Sequence, residues 1–450
     1  MNTFYKISVL IFFILFFLNK TTVSQNCSYT VTNNYSVVAD TGIVYKTIIY
    51  YDVKTLKYDT IDLKMDIIKP IGDNNPMRPI VFYFHGMNES YKATDSHVAR
   101  MVNVMVKERG FVLASVDYKI WAYPYVEVNP ASCGNLLLML IGVAAPYDTI
   151  EPKRAVYRCV QDANDAIKFV KARNMIDSSC VNLSFLSGFS AGGLIATSTA
   201  FLSQNEKPSA AFNTSPANYT NIFGTALNPT VSVSRNDLGS SSGNLNNGFN
   251  TNIKGVTIFN SGIQSINYIS TNDPPIYIYH SNNDPNIVAD SSSPACFTDA
   301  KMYGQNAIKN RALNQGYILN TNLFLANDLT THDFFETQIR PAADFISNQI
   351  NINQCQCDIN TALNAFQNIN NLDINIYANN NKVYINSPSI KDKSFEVVLY
   401  DILGNKVFFN TIQNSDKYEI NTNLRSGVYV IYLYGSSIFL KKKIYITSNY

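Results

Sequence analysis

The run Ile80-Val81-Phe82-Tyr83-Phe84 has no polar residue on either face of its pleat, so a strand there must be buried on both sides. Strands of that kind belong to parallel sheets covered by helices. The chain repeats the unit. A helix over 97–109, closed by Gly110, leads to a second buried strand at 111–116. A longer helix over 153–174 carries Val156, Cys159, Val160, Ala163, Ile167 and Val170 on one stripe, with Arg158, Asp162, Asp165 and Lys168 facing away from it. Strands at 181–186, 256–259, 276–279 and 320–326 follow, with helices at 191–202, 298–314 and 333–350. Two earlier stretches, 43–51 and 60–68, are rich in β-branched and aromatic residues and read as antiparallel strands. The fold class is α/β: a mostly parallel sheet flanked by helices. Residues 208–252 turn to Ser, Asn, Gly and Thr and read as an irregular insertion, expected over an active site.

After Cys357 the character changes. Short strands at 383–385, 395–400, 407–409, 428–434, 438–440 and 444–446, separated by turn residues, make a small all-β sandwich. With 46% hydrophobic and 15% charged residues the chain can bury substantial cores and is not globally disordered. A net charge of +2 and no basic stripe beyond Lys441-Lys442-Lys443, read as a solvated strand end, exclude a nucleic-acid partner. Lys6, an apolar run over 7–18 and the small residues Thr21 to Ser24 read as a signal peptide over 1–24, too short to span a bilayer. No integral membrane span is expected in the mature chain. Export permits disulfides among the seven cysteines, and the odd count leaves a thiol over, for which Cys159 on the apolar helix stripe is the candidate.

Gly188-Phe189-Ser190-Ala191-Gly192-Gly193 lies between a strand and a helix. A sharp strand-to-helix turn needs small neighbours and leaves the serine hydroxyl exposed above the sheet. Such an alcohol needs a base, and the chain has four histidines: His85, His97, His280 and His332. His332 follows the last strand and is the preferred base. Asp284, just past the strand ending at Tyr279, is the preferred acid, with Asp290 as fallback; Asp333 is too near His332 in sequence. The order Ser190, Asp284, His332 is the one such sheets use. Oxyanion donors are expected at the Ala191 amide and, in the turn His85-Gly86-Met87-Asn88, at the Met87 amide. No cofactor or metal is required.

Residues 43–350 resemble an α/β-hydrolase of the secreted carboxylesterase group. The resemblance rests on residues 78–88, Ser115-Val116-Asp117-Tyr118-Lys119, 155–166, Gly188 to Gly193, 280–288 and His332. Relatives often carry three glycines after the histidine of the oxyanion turn, where this chain has Gly86-Met87-Asn88. The resemblance implies a serine esterase working through an acyl-enzyme on a small-molecule or polysaccharide-linked ester. A serine peptidase of the same fold and a non-catalytic surface binding or adhesion protein are the alternatives. The sandwich resembles the C-terminal sorting domain of the type IX secretion system, through Val398 to Val407, Leu424-Arg425-Ser426-Gly427-Val428-Tyr429 and the lysine triplet. That implies export through the periplasm to the medium or cell surface, with that machinery as partner. The expected organisation is signal peptide 1–24, catalytic domain 25–357, linker 358–371 and sorting domain 372–450.

Overall fold

The computed structural model describes residues 29, 33–52, 57–72, 78–87, 89–118, 150–203, 206–220, 230–245, 248–292, 301–315, 323–327, 330–352, 375–379, 382–386, 394–401, 406–413, 417–422, 424–435 and 438–447. The expected signal peptide, the linker at 358–371 and five of the seven cysteines lie outside them.

Eight strands form the main sheet: β1 (Ser36–Asp52), β2 (Lys57–Ile71), β3 (Arg78–Phe84), β4 (Val112–Val116), β5 (Ser179–Phe189), β6 (Val256–Phe259), β7 (Ile276–Ser281) and β8 (Leu323–Asn327). Their order is β1-β2-β4-β3-β5-β6-β7-β8, and β2 alone runs against the rest. This is an α/β-hydrolase sheet. The antiparallel leader reaches further than the apolar runs suggest, because register shifts between Asp40 and Ile43 and between Val44 and Lys46 let β1 bend with the sheet.

Strand β3 shows why a continuous apolar run was needed. Ile80, Phe82 and Phe84 enter one core and Val81 and Tyr83 the other, all fully buried. Each such side chain contributes about 1.5–3 kcal/mol relative to exposure. One core is closed by α2 (Glu151–Ala172) and α3 (Ala191–Phe201), the other by α1 (Ser96–Met101) and α5 (Glu336–Ile352). The helix expected at 97–109 is two pieces: α1, then a π-helical stretch Val102–Glu108. The wider turn lets Val102, Val104, Met105 and Val106 all reach the core. The helix expected from 298 starts only at Gln305 in α4 (Gln305–Asn314), after the short strand Met302–Tyr303.

The polar side of α2 is covered rather than solvated. Lys46 of β1 reaches Asp162 and Asp165, both at 2.7 Å and both buried. The described part of the 208–252 insertion is tied along this helix. Tyr157 Oη donates to the Gly239 carbonyl at 2.9 Å, Gln161 Nε2 to those of Leu238 and Ser240 at 2.6 and 2.7 Å, and Asn164 Nδ2 to Ser241 at 2.8 Å. Backbone carbonyls laid against a helix need such partners, and here the helix side chains supply them as a ladder. The insertion is not irregular throughout, as the Ser, Asn, Gly and Thr content suggested: Ser209–Phe212 is a helical turn, and Ala217–Thr220 pairs antiparallel with Thr230–Val233. Cys159, on the apolar face, is a buried free thiol, as expected of the leftover cysteine.

Two antiparallel sheets close the chain. One pairs β9 (Asn375–Asn379), β10 (Lys382–Asn386) and β13 (Lys417–Asn421); the other runs β12 (Lys406–Gln413), β11 (Ser394–Tyr400), β14 (Gly427–Gly435), β15 (Ile438–Ile446). Ile376, Val383, Ile385, Leu399, Ile420 and Ile431 share their core. The lysine triplet is not a strand end: β15 runs through it, and Lys442 Nζ donates to the Ile376 carbonyl at 2.6 Å.

Candidate active site

Strand β5 delivers its last residue, Phe189, into a turn too tight for ordinary backbone. Ser190 has φ 52° and ψ −121°, a left-handed conformation that a non-glycine residue keeps only when its surroundings enforce it. The enforcement is close packing. A Cβ on Gly192 would lie 2.0 Å from the Phe84 carbonyl oxygen and 2.4 Å from that of His85. A Cβ on Gly188 would lie 2.4 Å from the Gly192 carbonyl carbon. The first turn of α3 therefore rests directly on the backbone at the end of β3, and a Cβ on Gly86 in the turn that follows would lie 3.0 Å from the Phe189 ring. The Ser190 amide donates to the Phe259 carbonyl at 3.1 Å, and Ser261 Oγ donates to the Ser190 carbonyl at 2.6 Å.

Two later loops bring the partners. Asp284 follows β7, with its side chain fully buried. Its Oδ1 accepts the amides of Asn286 at 2.7 Å and Ile287 at 3.0 Å, while Oδ2 lies 2.7 Å from His332 Nδ1. A carboxylate only accepts, so Nδ1 carries the proton. Nε2 is then left with its lone pair, 2.8 Å from Ser190 Oγ, whose hydroxyl donates to it. The structure thus brings Ser190, Asp284 and His332 into one chain of hydrogen bonds at the carboxyl ends of the parallel strands. Gly86, after β3, donates its amide to Glu89 Oε2 at 2.8 Å, and the next residue, Met87, is half-buried.

The other histidines lie elsewhere. His280 is buried beneath the acid loop, its Nε2 donating to the Ile287 carbonyl at 3.0 Å, and burial holds its pKa below the usual imidazole value. His85 contacts the Gly86 carbonyl through Nδ1 at 2.7 Å and lies under Tyr118, whose hydroxyl donates to the His85 carbonyl at 2.6 Å. His97 opens α1 and faces Asp333 and Glu89. Asp333 turns to His97 and Arg100, away from the Asp284 position. Glu89, Asp95 and His97 also bring one ligand-type atom each within 4.8 Å of one another. Both ring nitrogens of His97 already face carboxylates, so the group is read as an ionic network.

Sequence reasoning missed Asn260. It follows β6 at φ 43°, fully buried, and three of its contacts frame the site. Its Nδ2 donates to the Asp333 carbonyl at 2.8 Å and reaches that of Thr331 at 3.4 Å, one on each side of His332. Its Oδ1 accepts the Ser281 amide at 2.7 Å, where the acid loop leaves β7. The available signal was Asn260-Ser261-Gly262 directly after a buried strand: asparagine is the residue that best tolerates positive φ after glycine.

Comparison with known proteins adds the family. Residues 149–296 match the BD-FAE family model, and residues 375–447 match the model of a secretion system C-terminal sorting domain. The chain joins a BD-FAE domain to a sorting domain. The BD-FAE match is of the esterase-type α/β-hydrolase kind and spans α2, the elbow and the acid loop. The sorting domain marks the protein for type IX export, to be secreted or held at the cell surface. Among the described residues no helix is long and apolar enough to cross a membrane. Among solved structures, a truncated carbohydrate esterase from gut microbiota is similar at 15% identity and TM-score 0.40, over 70% of this chain and 97% of that one. Thermogutta terrifontis esterase 2 phosphoramylated by tabun is similar at 17% identity and TM-score 0.40, over 69% and 94%. No curated protein sequence matches the chain.

Proposed function

We propose that the protein is an exported serine esterase whose BD-FAE domain hydrolyses carboxylic esters through Ser190, His332 and Asp284. The observation that carries this reading is the relay Asp284 Oδ2 to His332 Nδ1 at 2.7 Å and His332 Nε2 to Ser190 Oγ at 2.8 Å. As Ser190 Oγ attacks the ester carbonyl, its proton passes to His332 Nε2. The buried Asp284 carboxylate holds the ring in the tautomer that can accept it and stabilises the imidazolium that results. The backbone amides of Asn286 and Ile287, donating to Asp284 Oδ1, keep that carboxylate oriented.

Negative charge then develops on the former carbonyl oxygen. The Ala191 amide at the start of α3 and the Met87 amide are its donors in this proposal. The Gly86 and Ser190 amides are already engaged, with Glu89 and Phe259. His332 returns the proton to the departing alcohol, leaving the acyl group on Ser190. Water activated by the same imidazole releases the acid. The domain boundaries that go with this reading are 25–357 for catalysis and 372–450 for sorting.

The test is Ser190→Ala in the full chain, assayed on p-nitrophenyl esters from acetyl upward. The expected loss in kcat is at least about a thousand-fold, with the parent labelled on Ser190 by a fluorophosphonate. A variant as active as the parent removes Ser190 from the role. A well-folded parent that turns over no ester and takes no label favours a binding protein.

A further inference from the structure

We propose that His97 is a positioning residue that locks the turn after β3 to the loop carrying His332, acting through Glu89 on one side and Asp333 on the other. The inference rests on the serine-esterase reading above, since it assigns the two linked segments their roles.

The geometry is a bridge. His97 Nε2 donates to Asp333 Oδ1 at 2.6 Å, and Asp333 is the residue after His332. His97 Nδ1 makes an ion-pair contact with Glu89 Oε1 at 2.9 Å, charge against charge without hydrogen-bond alignment, while Glu89 Oε2 accepts the Gly86 amide at 2.8 Å. The donor side and the base side of the site are thus joined through one ring. Its faces are held as well: Phe334 stacks on it at 4.9 Å and 16°, and Phe189 lies against it at 4.7 Å. Phe189 also packs at 4.9 Å on His332 and precedes Ser190, so the bridge has a second, apolar route to the relay. A displacement of about an ångström at a reacting group costs on the order of a hundred-fold in rate, so a brace of this kind acts on kcat.

The bridge is complete only while the ring is charged. With Nε2 protonated toward Asp333, a neutral ring would present a lone pair to Glu89 at 2.9 Å. Glu89 faces the ring from the turn after β3, Asp95 from the start of α1 and Asp333 from the base loop. Arg100, one turn further along α1, pairs with Asp333 at 2.7 Å. His332 stands beyond Phe189, and the buried Tyr83 phenol on β3 stays neutral, pushed up by its burial. Three carboxylates against one guanidinium favour an imidazolium. Burial opposes the charge, but Glu89 and then Asp333 outweigh it and raise the His97 pKa above the ordinary value. Loss of that proton as pH rises opens the Glu89 side and frees the turn.

The experiment uses the full-length parent and His97→Gln, with kcat and KM for p-nitrophenyl acetate from about pH 6 to about pH 10. Hydrogen exchange of the segments around 86 and 332 and fluorophosphonate labelling complete it. The parent should lose kcat along an alkaline limb. His97→Gln should lack that limb and run roughly ten- to a hundred-fold slower at neutral pH, with KM within about three-fold. Exchange should rise at both segments together. If His97→Gln does not fold, Glu89→Gln replaces it: the amide keeps an acceptor for the Gly86 amide, and removing the charge should move the alkaline limb to lower pH. A folded His97→Gln with the parent's kcat and pH profile, exchange rising at one segment only, or a Glu89→Gln with an unmoved limb overturns the inference. An unlabelled parent whose two segments still loosen together in the variant keeps the bridge and removes the esterase reading instead.

Discussion

The elbow at Ser190 and the described residues of the stretch 236–252 along α2 are both irregular backbone, yet they are held by opposite means. The elbow is fixed by what its residues lack. Gly188 and Gly192 bring backbone against backbone, leaving no room for a Cβ. The stretch on α2 is fixed by what its neighbours carry: tyrosine, glutamine, asparagine and lysine side chains of the helix, each donating to a carbonyl of the stretch. The base loop follows the second pattern, clasped by Asn260, Arg100 and His97. Backbone contact is unforgiving and local. Side-chain contact is spread over elements far apart in sequence, so each member can be lost at a moderate cost.

The largest effect should therefore come from the smallest change. Gly192→Ala puts a methyl group 2.0 Å from a carbonyl oxygen of β3, where no rotamer can relieve it. The expected cost is about 3 kcal/mol or more in urea unfolding, together with loss of fluorophosphonate labelling in whatever folds. An alanine variant that unfolds with the parent and labels at its rate breaks the contrast at its strong end.

The same contrast explains what could be read in the sequence. The buried runs at Ile80 to Phe84 and Val256 to Phe259 announce strands covered on both sides, because every pleat position must be apolar there. The elbow is equally visible: its glycines, its serine and its flanking strand and helix are contiguous. The positions of Asp284 and His332 were reachable because each follows a buried strand, and the structure places Asp284 within hydrogen-bond reach of His332 and His332 within reach of Ser190. The Glu89–His97–Asp333 bridge was not reachable, since its partners lie up to 236 residues apart and any one of them alone is an ordinary polar residue; at Asn260 the local signal marks a strained backbone but not the carbonyls it clasps 71 and 73 residues away. For the same reason the sequence shows only that Arg158, Asp162, Asp165 and Lys168 face away from the apolar stripe of α2, and not what they face. A helix bonded to its own insertion and one facing water carry the same pattern of charged residues.

Asn260→Ala should stand next in size. It removes the donor to the carbonyls flanking His332 and the acceptor for Ser281, inside a fully buried site. We expect a loss of about 2 kcal/mol and a roughly ten-fold fall in kcat with little change in KM. Asn260→Gly separates the two causes, because glycine adopts φ 43° without strain. It should recover about 1 kcal/mol of stability and none of the rate. Equal rates for the glycine variant and the parent mean that the backbone alone, and not the amide, places His332.

The smallest effect is a slope. Lys171, on the side of α2 that meets the stretch, donates to the Asn252 carbonyl at 2.7 Å and to Asn250 Oδ1 at 3.1 Å. Burial lowers its pKa to about 7, with Lys254 nearby adding to the shift. The unfolded chain holds that proton up to about pH 10.4, so between the two values the unfolded state binds more protons than the folded one. Stability should rise with pH across that window, and below about pH 7 the charge is retained in both states and its burial cost is felt in full. Lys171→Met should flatten the rise while leaving ester turnover near the parent's, because the lysine lies on the ladder and not on the relay. A methionine variant with the parent's pH slope shows that the ammonium is already satisfied by its two oxygens. Side-chain rungs would then hold the stretch without the electrostatic penalty that burial imposes.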